Sequence, residues 1–333
     1  MPRFAWKPRS GERRQSASSA TATIATGNTE YVGRFAPSPT GPLHFGSLLA
    51  AAASYLQARR RRGRWLLRIE DIDPPREQPG AARRIIEALE HYGFEWDGPV
   101  IHQSDSQEAH AAALTRLLDG GFAYRCGCSR SDLADAPRGP LGIIYPGTCR
   151  TGCTADETAV RVRTDDSAIR FVDGLQGTHE ERLESESGDF IVWRRDGLVA
   201  YHLAVVVDDY EQGITEVVRG IDLMDSTCRQ IWLQRLLGFP TPDYLHIPVA
   251  AHPDGHKLSK ATGAAAVPLG RPQAVLVQAF QALGQSPPAE LRDATLSDVW
   301  SWAIENWRIE AVAGKSQIPV DSGAMAEGKN GLL

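Results

Sequence analysis

Hydrophobic residues recur along this chain with two different spacings, which predict two kinds of element. Short, mostly apolar runs predict β-strands, and stretches with an apolar residue every three or four positions predict α-helices, each followed by a glycine that favours helix termination. The strands are expected at residues 31–35, 65–69 and 215–218, and the helices at 47–62, 81–92, 107–118 and 226–237. Strands that alternate with helices in this way are typical of an α/β fold built on an open parallel sheet.

The stretch from residue 122 to 187 interrupts this alternation. It contains several Gly and Pro turns and only short alternating runs, at 159–163 and 169–172. We interpret it as a small α+β module inserted between the two halves of the sheet domain, 31–121 and 188–250. Beyond the module the alternation resumes with two further apolar runs, at residues 190–193 and 199–207.

The two ends of the chain lack an apolar face of either spacing. Residues 1–30 are rich in Arg, Ser, Thr, Ala and Gly, and residues 314–333 have a similar composition. Segments of this kind bury too little apolar surface to fold, so we expect a disordered extension and a disordered tail. A basic arm that binds RNA is an alternative for residues 1–30.

The composition narrows the class of protein. The chain has 333 residues, of which 42% are hydrophobic, and a formal net charge of −5. These values favour a packed globular protein and exclude a generally basic surface for nucleic acid, so any RNA contact must be local. No apolar run is long enough to span a bilayer, and no apolar segment follows the basic residues near the N-terminus. We therefore expect a cytoplasmic protein with no membrane partner, and we expect a monomer.

A Gly- and Pro-containing segment, residues 41–47, connects the first predicted strand to the first predicted helix. In open α/β sheets, ligands bind at the carboxyl ends of the strands, and a helix N-terminus presents free N–H groups to phosphate. His44 can add a hydrogen-bond donor to the phosphates, and Gly46 has no side chain, so a flat adenine can approach the backbone. The motif alone is equally compatible with a strand–turn–helix corner that has no such function.

A second motif, residues 257–260, reads Lys-Leu-Ser-Lys and follows a Pro-Asp-Gly turn. Its two lysines can neutralise the charge that builds up on a triphosphate during adenylyl transfer. Taken alone, such a tetrapeptide is also typical of a solvated loop. The two motifs in this order indicate the divided ATP site of an enzyme that activates a carboxylate.

The first motif belongs to a longer run that resembles a known family. The run Arg-Phe-Ala-Pro-Ser-Pro-Thr-Gly-x-x-His-x-Gly, residues 34–46, resembles the opening of glutamyl-tRNA synthetases, which are class I aminoacyl-tRNA synthetases. Residues 68–73 resemble their next block, and residues 218–223 resemble part of their amino-acid pocket. Two positions depart from the family pattern, because Ser47 stands where a second His is usual and Ala261 stands where a final Ser is usual.

Over residues 31–312 the chain is more similar to a shorter group, the glutamyl-Q tRNA(Asp) synthetases, with matching runs at 73–77, 205–209 and 306–308. This resemblance implies a Rossmann-like class I catalytic domain with a zinc-containing insert and no anticodon-binding domain. It implies a KMSKS-type loop and a short, stem-contact-like helical region at 251–313. The implied reaction forms glutamyl-adenylate from L-glutamate and ATP, and then passes the glutamyl group to the cyclopentenediol of queuosine in the anticodon loop of tRNA(Asp).

The short stretch after Lys260 bears on the acceptor. We expect it to leave no room for the helical anticodon-binding domain that longer relatives carry, which favours the modified base as the acceptor. A truncated glutamyl-tRNA synthetase that charges the 3′ end of tRNA(Glu) is the alternative. A non-catalytic RNA-binding paralogue is a further alternative, but the presence of both motifs argues against it.

The resemblance implies binding residues for both substrates. Glutamate is expected to bind to Arg34, Phe35, Ala36, Pro37, Ser38, Glu70, Tyr201 and Arg219. ATP is expected to bind to His44, Gly46, Ser47, Lys257, Ser259 and Lys260, with His44, Lys257 and Lys260 as the catalytic residues. The chemistry of the first set fits glutamate, because guanidinium groups suit carboxylates, a carboxylate can pair with the ammonium, and a phenol can donate a hydrogen bond. Any single one of these charges is also compatible with a surface ion pair.

The implied reaction requires no protein nucleophile or general base. The α-carboxylate of glutamate itself attacks the α-phosphorus of ATP. Positioning and charge stabilisation are then expected to provide the catalysis, with Mg²⁺ bound to the triphosphate.

Four of the five cysteines lie between residues 126 and 153. In a cytosolic chain this pattern favours a metal site over disulfides, and three or four thiolates in a turn-rich segment suit structural zinc. The resemblance implies Cys126, Cys128, Tyr145 and Cys149 as the ligands. A phenolate oxygen is an unusual ligand for zinc, so chemistry alone favours Cys153 as the fourth ligand. Free structural thiols are a third interpretation.

Overall fold

The computed structural model of the chain describes residues 30–251 and 265–320. The predicted ATP-site residues Lys257, Ser259 and Lys260 lie outside the described residues, so their roles stay predictions. The same holds for the predicted extension up to residue 29 and for residues 321–333 of the predicted tail.

The described residues form fourteen strands and eight α-helices. The strands are β1 (Val32–Phe35), β2 (Arg64–Ile69), β3 (Ile101–His102), β4 (Ala123–Cys126), β5 (Arg138–Gly139), β6 (Gly142–Ile143), β7 (Ala159–Val162), β8 (Ala168–Asp173), β9 (Gly177–Arg182), β10 (Ile191–Trp193), β11 (Glu216–Gly220), β12 (Asp243–Ile247), β13 (Val249–Ala251) and β14 (Gln317–Pro319). The helices are α1 (Phe45–Arg60), α2 (Ala81–His91), α3 (Gln107–Asp119), α4 (Leu183–Glu186), α5 (Tyr201–Glu211), α6 (Met224–Leu237), α7 (Pro272–Ala282) and α8 (Leu296–Asn306). Among these helices, none combines the length and the apolar character that a bilayer-spanning segment requires.

The central strands run parallel and come from two separate stretches of the chain, residues 32–102 and 168–247. Strands β1, β2 and β3 pair in that order, and β11, β12 and β8 pair in that order, with β9 antiparallel at the edge. Thr215, just before β11, joins the two sets, because its amide donates to the Val32 carbonyl at 2.9 Å and its hydroxyl accepts from the Val32 amide at 2.9 Å. The predicted open parallel sheet is therefore present.

Side chains that alternate along these strands divide the sheet into two faces, each with its own core. Val32 and Val217 belong to the core that contains the apolar residues of α3, α5 and α6. Phe35 and Val218 belong to the core that contains those of α1, α7 and α8. Helices cover both faces, as in a doubly wound sheet.

Helix α1 is buried along almost its whole length, which explains its many alanines. Small side chains let it pack closely against the sheet and against α7 and α8. Gly63 ends the connection from α1 to β2 at a point of close approach, where a Cβ atom would stand 2.4 Å from the carbonyl oxygen of Tyr31. Only glycine allows β2 to begin so near to β1.

Hydrogen bonds cross the predicted boundary between the inserted module and the second half of the sheet domain. Strands β4, β7 and β10 form one antiparallel sheet, although β10 lies beyond residue 187. Strand β8 lies within the predicted module but pairs with β12 of the central sheet. Apolar alternation marks a strand without indicating its partner, which is why the sequence pattern did not reveal this exchange.

The start of the predicted disordered tail is ordered, which corrects that prediction for residues 314–320. The Gly314 amide donates to the Leu175 carbonyl at 2.9 Å, and β14 pairs with β13 in parallel. Ile318 and Val320 are buried in the core beside α1. Two apolar side chains at alternating positions were enough to anchor this segment, although its overall composition is polar.

Candidate active site

A cavity of about 360 Å³ opens at the carboxyl ends of β1, β2, β11 and β12. All of the described residues that the sequence predicted for substrate binding line it. They are Arg34, Phe35, Ala36, Pro37, Ser38, His44, Gly46, Ser47, Glu70, Tyr201 and Arg219. Sequence reasoning missed the wall that Ile247, Pro248, Val249 and Ala250 contribute. An apolar strand after α6 was the available signal for this wall, because every residue of β12 except the first is buried.

The N-terminus of α1 forms one end of the cavity. The helix begins at Phe45, two residues before its predicted start, with His44 as its N-cap. The Ser47 amide donates to His44 Nδ1 at 3.2 Å, and the Ser47 hydroxyl lies 3.0 Å from Nε2. These contacts fit a neutral imidazole with its proton on Nε2. The free amides of the first turn of α1, and the positive end of its helix dipole, lie at this end of the cavity and suit phosphate.

The strand register places four polar side chains on one face of the sheet. Arg34, Arg68, Arg219 and His246 each lie two positions after a residue of the core that contains α5 and α6. Side chains two apart on a strand point to the same face. The face therefore presents three buried guanidinium groups and an imidazole near the ends of neighbouring strands.

Arg34 is held by charged partners. Its Nε and Nη2 donate to the two oxygens of Asp209 at 3.2 and 3.3 Å. The fully buried Arg68 donates to Asp209 at 2.8 Å and to Glu70 at 3.3 Å. Arg68 Nε also lies 4.0 Å from Asp208 Oδ2, so the two guanidinium groups lie among three carboxylates, and both are ion-paired within the protein.

The pKa values of Asp209 and Glu70 shift in opposite directions from the ordinary values of these groups. Burial alone would raise the pKa of Asp209, but the Arg34 and Arg68 guanidinium groups hold it below its ordinary value. Burial raises the pKa of the Glu70 carboxyl in spite of the opposing effect of Arg68 and Arg34. Glu70 also lines the cavity, so a bound cation beside it would favour its ionised form.

Arg219 is equally buried but is held by uncharged partners. Nε donates to His246 Nε2 at 3.0 Å, and Nη1 donates to Gln230 Oε1 at 2.8 Å. Nη2 donates to Thr227 Oγ1 at 2.8 Å and to the Leu223 carbonyl at 3.3 Å. Within the described residues Arg219 forms no ion pair, so its charge is available to a ligand in the cavity.

Tyr201, the first residue of α5, also lines the cavity. Burial raises the pKa of its phenol, although the Arg219 charge acts in the opposite direction. The phenol therefore keeps its proton at neutral pH and can donate a hydrogen bond. Together with Arg219 it provides donors suited to a carboxylate.

The predicted metal ligands lie together in the small antiparallel module. The Sγ atoms of Cys126, Cys128 and Cys149 all lie within 4.8 Å of one another. The Tyr145 hydroxyl lies 3.3 Å from the Sγ of Cys126 and 3.5 Å from that of Cys128, and it accepts from the Cys149 amide at 3.0 Å. Cys153 is not part of the group of three thiols.

The surroundings favour thiolate at Cys149 but not at Cys128. Burial acts against the thiolate of Cys149, but hydrogen bonds from Tyr145 and from the Gly127 amide lower its pKa to about 7. Burial raises the pKa of Cys128. Arg161 donates from Nε to the Cys126 sulfur at 3.3 Å and stacks over the Tyr145 ring at 3.9 Å. A soft, partly ionised sulfur set of this kind fits zinc better than magnesium or calcium.

Comparison with known proteins agrees with this geometry. The family model described as tRNA synthetases class I (E and Q), catalytic domain, matches residues 30–139 and 148–293. The glutamyl-Q tRNA(Asp) synthetase of Pseudomonas fluorescens is 50% identical over 296 residues, which cover 89% of this chain and 98% of that protein. The protein of the same name from Dechloromonas aromatica is 53% identical and covers 87% of this chain and 98% of its own length.

Solved structures support the same fold. The glutamate tRNA ligase from Elizabethkingia meningosepticum, in complex with its amino acid, superposes with a TM-score of 0.72 at 25% identity, over 87% of this chain and 67% of that one. The glutamate-tRNA synthetase from Elizabethkingia anophelis superposes with a TM-score of 0.74 at 24% identity, over 88% and 68%. The chain therefore belongs to the family of class I (E and Q) tRNA synthetase catalytic domains, in the branch that contains the glutamyl-Q tRNA(Asp) synthetases.

Proposed function

We propose that the protein activates L-glutamate with ATP and transfers the glutamyl group to the cyclopentenediol of queuosine in the anticodon loop of tRNA(Asp). The observation that carries the proposal is the cavity itself, where donors suited to carboxylates face a helix N-terminus suited to phosphate. The name shared by relatives about half identical over nearly their whole length supports this acceptor.

Activation proceeds in the cavity without a protein nucleophile. An oxygen of the α-carboxylate attacks the α-phosphorus of ATP, and pyrophosphate leaves. The carboxylate that reacts must face the N-terminus of α1, so the side-chain carboxylate lies at Arg219 and Tyr201. Glu70 pairs with the substrate ammonium. Catalysis comes from holding the two reactants together and from stabilising the charge that develops on phosphate.

Transfer follows at the same place. A hydroxyl of the cyclopentenediol attacks the carbonyl carbon of glutamyl-adenylate, AMP leaves, and an ester forms. In the earlier activation step, His44, Gly46 and Ser47 hold ATP from the α1 side, and Lys257, Ser259 and Lys260 of the second motif provide donors for its phosphates. Mg²⁺ bound to the triphosphate neutralises part of its charge.

A structural zinc ion fits the module that contains β4 and β7. Cys126, Cys128 and Cys149 would supply three sulfur ligands, and the hydroxyl of Tyr145 lies close enough to two of these sulfurs to be the fourth. Binding would ionise the phenol, whose pKa burial and the neighbouring thiols raise in the metal-free protein.

Metal analysis of two variants tests the zinc assignment. Cys149→Ser is expected to lose the zinc, and Cys153→Ser is expected to keep one equivalent per chain. Cys153 lies in the same module, so it is the matched control for the loss of a thiol. Zinc retained in Cys149→Ser but lost in Cys153→Ser would show that Cys153 is a ligand instead.

A paired charging assay tests the acceptor. Labelled glutamate is offered with ATP to tRNA(Asp) that contains queuosine, to tRNA(Asp) that lacks it, and to tRNA(Glu). We expect label on the first tRNA alone. Equal charging of tRNA(Glu) would overturn the proposed acceptor and favour a glutamyl-tRNA synthetase that acts on the tRNA 3′ end.

A further inference from the structure

We propose that His246, held by Asp173, is a positioning residue that fixes Arg219 for a substrate carboxylate without neutralising its charge. The inference rests on the proposed function and deepens it, because it names residues that set the preference for a carboxylate over a carboxamide. His246 and Asp173 do not line the cavity and act only through Arg219.

The strand register builds this arrangement. Strands β11 and β12 pair in parallel with Arg219 beside His246, and β12 pairs with β8 with Tyr244 beside Asp173. The three side chains form a buried line at one end of the sheet. Arg219 Nε lies 3.0 Å from His246 Nε2, and His246 Nδ1 lies 2.6 Å from Asp173 Oδ2.

The contacts determine the tautomer of His246. A guanidinium group can only donate, so His246 Nε2 must be the acceptor and must carry no proton. The imidazole proton therefore lies on Nδ1 and is donated to Asp173. Asp173 itself is fixed by the amides of Leu175 and Gln176, both at 2.9 Å, so it holds the ring in this one orientation.

A neutral acceptor has a consequence that a carboxylate would not have. Asp173 is separated from Arg219 by the width of an imidazole, so the guanidinium is oriented but not ion-paired. Gln230 and Thr227, which hold the other nitrogens, are neutral as well. The substrate carboxylate then supplies the counter-charge, whereas a carboxamide supplies none and brings N–H groups toward a donor.

Substitutions of His246 test this role through ATP–pyrophosphate exchange with glutamate. His246→Phe keeps the ring shape but offers no acceptor, and we expect the KM for glutamate to rise roughly tenfold or more while the KM for ATP stays within about twofold. His246→Gln places a neutral acceptor oxygen near the Nε2 position and is expected to restore much of the affinity. A merely structural role would not separate these two variants.

The chain offers a matched control in a second buried His–Asp pair. His110 is fully buried, and its Nε2 lies 2.8 Å from Asp208 Oδ1, but it does not line the cavity or contact Arg219. His110→Phe removes the same kind of hydrogen bond from the same core. We expect its KM for glutamate to stay within about twofold of the wild-type value, because Asp208 keeps its contacts with Gln103 and Arg68, and Arg219 does not contact this pair.

A second variant keeps the test decisive if His246→Phe does not fold. Asp173→Asn preserves the size of the side chain but can donate to Nδ1, which moves the ring proton to Nε2 and places it against the Arg219 N–H. We expect a raised KM for glutamate here too. A KM within twofold of wild type in folded His246→Phe or Asp173→Asn would overturn the inference alone. Absence of glutamate-dependent exchange in the wild type would overturn the proposed function, and this inference with it.

Discussion

The two arginines of the cavity, Arg34 and Arg219, are held in opposite ways. Arg34 forms an ion pair with Asp209 inside a buried cluster of two arginines and three carboxylates. Arg219 is as deeply buried, but its partners in the described structure are neutral. A buried guanidinium without a counter-ion lowers the stability of the fold, and a bound carboxylate removes that penalty. Arg34 therefore has its counter-charge without substrate, whereas Arg219 gains a counter-charge when a substrate carboxylate binds.

The difference arises from the helices, because both arginines occupy the same kind of strand position. Helix α5 brings the acidic Asp209 to the end of β1, whereas α6 brings Thr227 and Gln230 to the end of β11. Two neighbouring helices on one face thus set two different charge states. The comparison predicts that losing Arg219 mainly harms function and that losing Arg34 also harms the fold.

The largest expected effect is on glutamate activation by Arg219→Met. We expect kcat/KM for glutamate in pyrophosphate exchange to fall on the order of 100- to 1000-fold, because a buried, charge-assisted contact with the carboxylate is lost. The KM for ATP should change little. An unchanged exchange rate would remove Arg219 from the pocket and remove the basis of the comparison.

The second-largest expected effect is on stability, where Arg34→Met is expected to be more harmful than Arg219→Met. Arg34→Met leaves Asp209 with only part of its counter-charge, so we expect the free energy of unfolding in urea to fall by about 3 kcal/mol. Arg219→Met removes a buried charge that has no counter-ion among the described residues, and we expect a clearly smaller loss. Both are measured without ligands at neutral pH. A loss in Arg219→Met as large as that in Arg34→Met would contradict the account of its charge.

The smallest effect concerns Glu70, the part of the Arg34 cluster that faces the cavity. Its native pKa is raised above the ordinary 4.5, so protonated Glu70 stabilises the fold below that pH, and this stabilisation is lost as the pH rises through the native value. Glu70→Gln mimics the protonated form. We expect it to match wild-type stability near pH 4 and to exceed it progressively toward neutral pH, while glutamate activation falls.

A control separates this effect from the simple loss of a carboxylate. Glu90 is exposed on α2 and does not line the cavity, and Glu90→Gln also removes one carboxylate charge. We expect it to leave glutamate activation unchanged. If Glu70→Gln is less stable than the wild type at pH 7, the ionised carboxylate contributes to the fold and the ammonium role loses its physical basis.

The sequence predicted the elements whose periodicity is long and local. The bounds of helices α2, α3 and α6 lie within two residues of those predicted. Apolar spacing and a terminating glycine are local features, so contiguous residues were enough to predict these helices. Strand partners were not predictable in this way. Strand β8 pairs with β12 and strand β10 pairs with β7, and each pairing joins segments far apart in the chain.

For the cavity, too, local features could be predicted and long-range contacts could not. Its lining could be predicted from short motifs such as residues 34–47, and the structure brings their side chains to one cavity. The charge state of each arginine could not, since Arg34 and Asp209 are 175 residues apart and Arg219 and His246 are 27 apart. The signal for His246 was a polar residue at a buried position of an apolar strand, and β12 was not recognised as a strand.

The most direct test of this account compares glutamate with glutamine in ATP–pyrophosphate exchange by the wild-type protein, with Mg²⁺ and without tRNA. An Arg219 whose charge is not compensated requires a carboxylate. We therefore expect kcat/KM for glutamate to exceed that for glutamine by about 100-fold or more. Equal exchange with the two amino acids would contradict it.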